Sequence, residues 1–115
     1  MRVGRHRFEE LVAQALDGLP EWVHRHLENV DVLIEERPPP DDPELLGLYE
    51  GVPLTERDGT YFGVLPDRIT LFRSPLLDEA EDEEDLRQIV QDTVIHEIAH
   101  FFGISDDRLR EMDRY

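Results

Sequence analysis

The period of the apolar residues changes several times along this chain, and each change marks an element. Phe8, Leu11, Val12, Ala15, Leu16 and Leu19 follow the three-and-four spacing of one helix face. That predicts a helix from about Arg7 to Leu19, ended by Gly18 and Pro20. A second, short helix is expected over Pro20 to Glu28, because proline suits a first helical turn. From Val30 to Glu36 the period drops to two. Val30, Val32 and Ile34 alternate with Asp31, Leu33 and Glu35, which predicts a strand with one clearly apolar face. The prolines of Arg37-Pro38-Pro39-Pro40-Asp41-Asp42-Pro43 lack ladder donors and favour extended polyproline geometry, so this segment reads as a loop. Two further strands are expected, Leu45 to Tyr49 and Arg68 to Phe72, with an exposed turn over Thr55 to Thr60 between them.

The last long element carries Leu86, Ile89, Val90, Val94, Ile95, Ile98, Ala99, Phe101 and Phe102 and becomes apolar nearly all round toward its end. Such a pattern belongs to a central, buried helix. A short terminal helix from about Asp106 to Arg114 would follow. Residues 1–115 therefore read as a single α+β domain: amino-terminal helices, a small mixed sheet of three or four strands, and a central helix.

Two histidines and a glutamate interrupt that apolar helix. His96-Glu97-Ile98-Ala99-His100-Phe101-Phe102-Gly103-Ile104-Ser105-Asp106 reads H-E-x-x-H-x-x-G-x-x-D. Residues four apart on a helix lie one turn above each other, so His96 and His100 can aim at one point roughly 2 Å from each nitrogen, the reach of zinc. Glu97, beside the first ligand, can serve a metal-bound water as general base. Gly103 permits the positive φ that stops a helix and folds the chain back, which can return Asp106 to the metal. Asp107 and Glu111 are rival third ligands if the turn is looser. The bland alternative is a core helix whose histidines face a polar neighbour. Against it, burying these three groups unpaired is costly, and a metal removes that cost while explaining their types.

At these residues the chain resembles the zincin metallopeptidases, and among them the metzincin pattern, in which a third ligand follows the glycine by three positions. It more closely resembles a minimal zincin family of very short bacterial proteins, regarded as candidate zinc metallopeptidases. That resemblance covers most of the chain and is carried by Gly47-Leu48-Tyr49-Glu50-Gly51-Val52-Pro53-Leu54-Thr55, by Arg68-Ile69-Thr70-Leu71-Phe72-Arg73-Ser74-Pro75-Leu76, and by the His96 to Asp106 motif. Metzincins usually have histidine where this chain has Asp106, and a methionine turn beneath the metal. Met112 does not match that turn and reads as packing. The resemblance implies Zn²⁺ held by His96, His100 and Asp106, with Glu97 as the base in peptide-bond hydrolysis. It also implies an edge strand beside the metal helix that pairs an extended substrate backbone, a role expected here of Arg68 to Phe72.

Charge and composition narrow the partners. A formal net charge of −16 leaves no basic patch for nucleic acid phosphates. No long apolar stretch follows the basic Met1 to Arg7 start, so neither a signal peptide nor a membrane anchor is expected, and a cytoplasmic setting is. Zero cysteines exclude disulfides and thiolate ligands, leaving histidine and carboxylate chemistry. The expected partner is a peptide or protein substrate, with an unidentified protein completing the cleft as a further candidate; the nine residues after Asp106, too few to form a cleft's far wall, support instead a competing function class. The competing function class is a metal-binding or interaction module that keeps the zincin core and cleaves nothing. Glu97 weighs against it, because a structural zinc site needs no general base.

Other candidates read as structure. His24 and His26 are two apart and diverge by about 200° on a helix. Seven carboxylates in the eight residues Asp78 to Asp85 lack the glycine and ligand alternation of a calcium loop and suit the positive end of a helix dipole. Tyr49 or Tyr61 could donate to a tetrahedral oxyanion, although packing is the simpler role for each.

Overall fold

The computed structural model describes residues 2–51 and 67–101. Its first helix, α1, spans Arg5–Asp17 and buries Phe8, Leu11, Val12 and Ala15, the face that the sequence spacing predicts. Helix α2 is Glu21–Leu27, and Pro20 stands just before it in extended geometry instead of within its first turn. Strands β1 (Val30–Glu35), β2 (Gly47–Glu50) and β3 (Asp67–Phe72) form one sheet in the order β1-β3-β2. The sheet is mixed, as expected: β3 runs parallel to β1 and antiparallel to β2.

That order overturns one expectation. The Arg68 to Phe72 segment is not an edge strand, because β3 has a neighbour on each side. Its burial explains the position: every residue of β3 except Arg68 is buried. The unbroken Ile69-Thr70-Leu71-Phe72 run is the mark of a strand covered on its faces and paired along its edges. Register then sets the core. Val32 lies opposite Ile69, Ile34 opposite Leu71, and Tyr49 opposite Ile69, so alternate residues of all three strands share a face. Ile69 and Leu71 join Phe8 and Leu11 of α1 and Val90, Val94 and Ile98 of the last helix in a single core.

Between β3 and that last helix lies an element that the apolar pattern did not reveal. Helix α3 spans Arg73–Glu79, with Pro75 in its first turn, where a missing N–H costs nothing. Arg73 anchors it: the guanidinium donates to Glu36 at 2.6 Å and to the Val3 carbonyl, so the start of α3 is tied to the end of β1 and to the amino-terminal segment. The acidic run is consequently split between two helices. Asp78 and Glu79 end α3, and Glu83, Glu84 and Asp85 form the first turn of α4, Glu83–Phe101.

The start of α4 is built by those carboxylates. Asp82 accepts from the Asp85 N–H at 2.8 Å, and Asp85 reaches back to accept from the Glu81 N–H at 2.9 Å, a reciprocal arrangement close to a capping box. Glu83 also takes a two-pronged contact from Arg7, at 2.8 and 3.2 Å, which fastens α1 to the beginning of α4. The hydrogen bond and charge of Arg7 hold the Glu83 carboxyl below its ordinary range, and Glu83 raises the Arg7 guanidinium in return. No described helix is long and apolar enough to cross a membrane.

Candidate metal centre

Helix α4 carries two adjoining arcs of side chains around its axis. Leu86, Val90, Val94 and Ile98, four apart, are fully buried and face the core. At about 100° per residue, Ile89, Thr93, His96 and His100 fall on the adjoining arc, within about 60° of one another. That side meets β2 and the segment leading into it.

Close approach there depends on a missing side chain. A Cβ at Gly47 would sit 2.7 Å from Thr93 Cγ2 and 3.6 Å from Glu97 Cγ. Thr93 cannot easily move away, since its hydroxyl donates to the Ile89 carbonyl one turn earlier at 2.8 Å. Glycine at the start of β2 is therefore what allows the strand to lie against the turn of α4 that carries Glu97. Sequence reasoning placed Gly47 in the region of resemblance without seeing this contact, for which a single glycine gives no signal.

The motif residues meet as the helical spacing predicts. The His96 and His100 rings lie 4.8 Å apart, centre to centre, and are tilted by 51°. Glu97 is buried, with 6% of its surface exposed, whereas the two histidines are half-buried. One ligand atom from each of His96, Glu97 and His100 lies within 4.8 Å of the other two. His96 Nε2 is 4.0 Å from Glu97 Oε2. Two imidazoles and a carboxylate offer nitrogen and oxygen donors of the kind that zinc takes. The setting fits as well: a buried carboxylate beside two half-buried imidazoles is a group that a divalent cation stabilises.

Asp106, with its rivals Asp107 and Glu111, Gly103, the short terminal helix, Met112 and Tyr61 lie outside the described residues, as does the expected turn over Thr55 to Thr60. Tyr49 is described, and its hydroxyl donates to Asp67 Oδ2 at 2.9 Å, linking β2 to the buried first residue of β3. This supports the packing role for Tyr49. His26 meets Trp22 edge-on at 6.3 Å, and neither His24 nor His26 belongs to a three-ligand cluster among the described residues.

Sequence reasoning also missed the cleft beside the motif. A cavity of about 490 Å³ opens onto His96 and Glu97, walled by α4 on one side and by the Asp42 to Gly47 segment on the other, with Glu79 of α3 at its margin. It is large enough for a small ligand or one peptide side chain.

Comparison with known proteins agrees with the site. No curated protein matches the chain. Among solved structures it is similar to a conserved hypothetical protein from T. thermophilus, with 29% identity, a TM-score of 0.58, and coverage of 87% of this chain and 94% of that one. A family model described as zincin-like metallopeptidase matches residues 27–115, which span α4 with its histidines, the whole sheet and the cleft. The chain belongs to the zincin-like metallopeptidase family.

Proposed function

We propose that this protein is a zinc-dependent peptidase in which His96, His100 and Asp106 hold the metal and Glu97 is the general base. The observation that carries this reading is the buried Glu97 carboxylate between two histidines of one helical turn, with ligand atoms within 4.8 Å of one another, at the mouth of a cleft. Zinc, when bound, would polarise a peptide carbonyl and acidify water. The protein's own residues supply the rest. Glu97, kept from bulk solvent, accepts the proton of the attacking water and returns it to the leaving amine. His96 and His100, one turn apart on the same helix, would offer the metal two nitrogens without loop motion. Asp106 is assigned on its position three residues after Gly103 in the motif, and Asp107 and Glu111 are its rivals.

Substrate pairing falls to β2 in this reading. Among the described residues β2 has β3 on one side only, and it lies against α4, so an extended peptide would add to it and not to β3. Membership of the family and the His96-Glu97-His100 cluster support this reading.

Elemental mass spectrometry on the purified protein tests it, beside a Glu97→Ala variant and a His96→Ala, His100→Ala double variant. One zinc per chain, retained by Glu97→Ala and lost by the double variant, is the expected result, with peptide cleavage abolished by Glu97→Ala. Bound zinc without cleavage of any peptide in a diverse library would leave a non-catalytic metal-binding or interaction module. Absence of metal even after zinc is supplied would overturn the peptidase reading and leave a zincin-shaped interaction domain.

A further inference from the structure

We infer that the cleft beside Glu97 is a specificity pocket for a basic side chain, arginine or lysine, next to the bond to be cut. The inference rests on the hydrolase reading for the meaning of the cleft, and on the cleft's own chemistry for its occupant.

The lining sorts into two kinds. Leu45, Leu46 and Ile89 give an apolar wall, the sort of surface along which the methylene stem of a long cationic side chain packs. Asp42, Glu44, Glu79 and Asp92 supply carboxylates from three separate parts of the fold. Arginines neutralise glutamates elsewhere: Arg5, Arg7, Arg25, Arg68, Arg73 and Arg87 each pair with a glutamate outside the cleft. Among the described residues no cation pairs with any of the four cleft carboxylates. Asp92 accepts from the Gln88 amide at 3.0 Å, which orients its carboxylate without cancelling its charge.

Apart from His96, which the hydrolase reading gives to the metal, the charged side chains of the lining are all acidic, and such a wall draws a positive guest and repels an acidic one. The apolar wall adds a requirement that a bare ammonium or metal ion does not meet, since its contact area has value only to a guest with an aliphatic stem. At about 490 Å³ the cavity has room for one extended arginine side chain. Its place against His96 and Glu97 puts that side chain beside the reacting carbonyl.

Binding tests this separately from catalysis. A zinc-loaded Glu97→Gln protein would be titrated with blocked peptides, acetyl-Ala-Ala-Xaa-Ala-Ala-amide, in which Xaa is arginine, lysine, norleucine or glutamate. An unblocked Ala-Ala-norleucine-Ala-Ala peptide supplies a terminal amine without a basic side chain. The arginine and lysine peptides should bind at least about tenfold more tightly than norleucine, with glutamate weakest and the preference shrinking as salt rises. In a further Glu44→Gln, Asp92→Asn background the preference should collapse, while affinity for norleucine stays within about twofold.

Equal affinity for arginine and norleucine in the parent protein would overturn the inference, and so would tight binding of the unblocked norleucine peptide alone, which marks a terminus site. A preference that survives the charge-removing pair would overturn the assignment to these carboxylates. Cleavage by the wild-type protein reads out the other claim: preferential binding without cleavage sinks the hydrolase reading and spares the pocket, and cleavage without preference does the reverse.

Discussion

The two sides of α4 are made of the same nineteen residues and do opposite work. On one side Leu86, Val90, Val94 and Ile98 are sealed into the core and bind α4 to α1 and the sheet. On the other, Thr93 and His96 face a cleft, His100 follows one turn further on, and Glu97 sits buried at the boundary between the sides. The difference teaches how a small domain holds chemistry in place. Aliphatic packing on the first side fixes the helix, and the fixed helix holds the backbone positions of the two histidines at one spacing. Stability and chemistry should then be separable by substitution, one side at a time.

The largest effect is expected on the core side. Leu86→Ala, about three helical turns from His96, removes a fully buried side chain and should cost about 2–5 kcal/mol in urea unfolding. The folded fraction should still bind zinc one to one. Loss of zinc from folded protein would show that the two sides are not separable. The complementary change, His96→Ala with His100→Ala, should leave the metal-free stability close to that of the parent and abolish stabilisation by zinc. For the parent, that stabilisation is about 2.7 kcal/mol at a free zinc concentration one hundred times the dissociation constant. A chelator should remove it.

How much of this was readable beforehand follows the range of the signals. Helix α1, strand β1 and the His96-Glu97-His100 cluster are local patterns, set by periods of 3.6 and 2, and they stand where the sequence put them. The place of β3 in the sheet is a matter of topology. Resemblance assigned it to an edge, while its own apolar run pointed to the centre. Helix α3 escaped because seven residues containing Pro75, directly after a strand, show too few turns to display a helical period. The cleft was hidden for another reason. Asp42 and Glu44 lie in a proline-rich loop and Asp92 on a distant helix, and in a chain with 28 acidic residues nothing marks these few as neighbours.

Gly47 offers a sharper test of the boundary between the sides. Gly47→Ala would drive a Cβ to 2.7 Å from Thr93 Cγ2, a branched side chain pinned by its own hydroxyl. Overpacking of this kind costs about 1–3 kcal/mol. Thr93→Ser keeps the hydroxyl and deletes the methyl, so it should recover most of the loss when combined with Gly47→Ala. The double-mutant cycle in urea should therefore show a coupling well outside the error expected of independent sites. Additive effects would mean that β2 and α4 are held apart by something other than this contact, and that Gly47 does not set the approach to Glu97.

The smallest effect is expected at the far end of α4, where Arg7 meets Glu83 on the surface. The guanidinium lowers the folded carboxyl relative to the unfolded chain, so the pair contributes stability above the ordinary glutamate range and loses it as pH falls through the lowered value. Arg7→Gln removes the contact, and its urea midpoint should lie slightly below that of the parent at neutral pH. The gap should close as the solution is taken into the acid range and should narrow with added salt, as for any exposed pair. Zinc content at neutral pH should equal that of the parent. A gap that persists in acid would assign the effect of Arg7 to packing of its side chain against α4 and not to its charge.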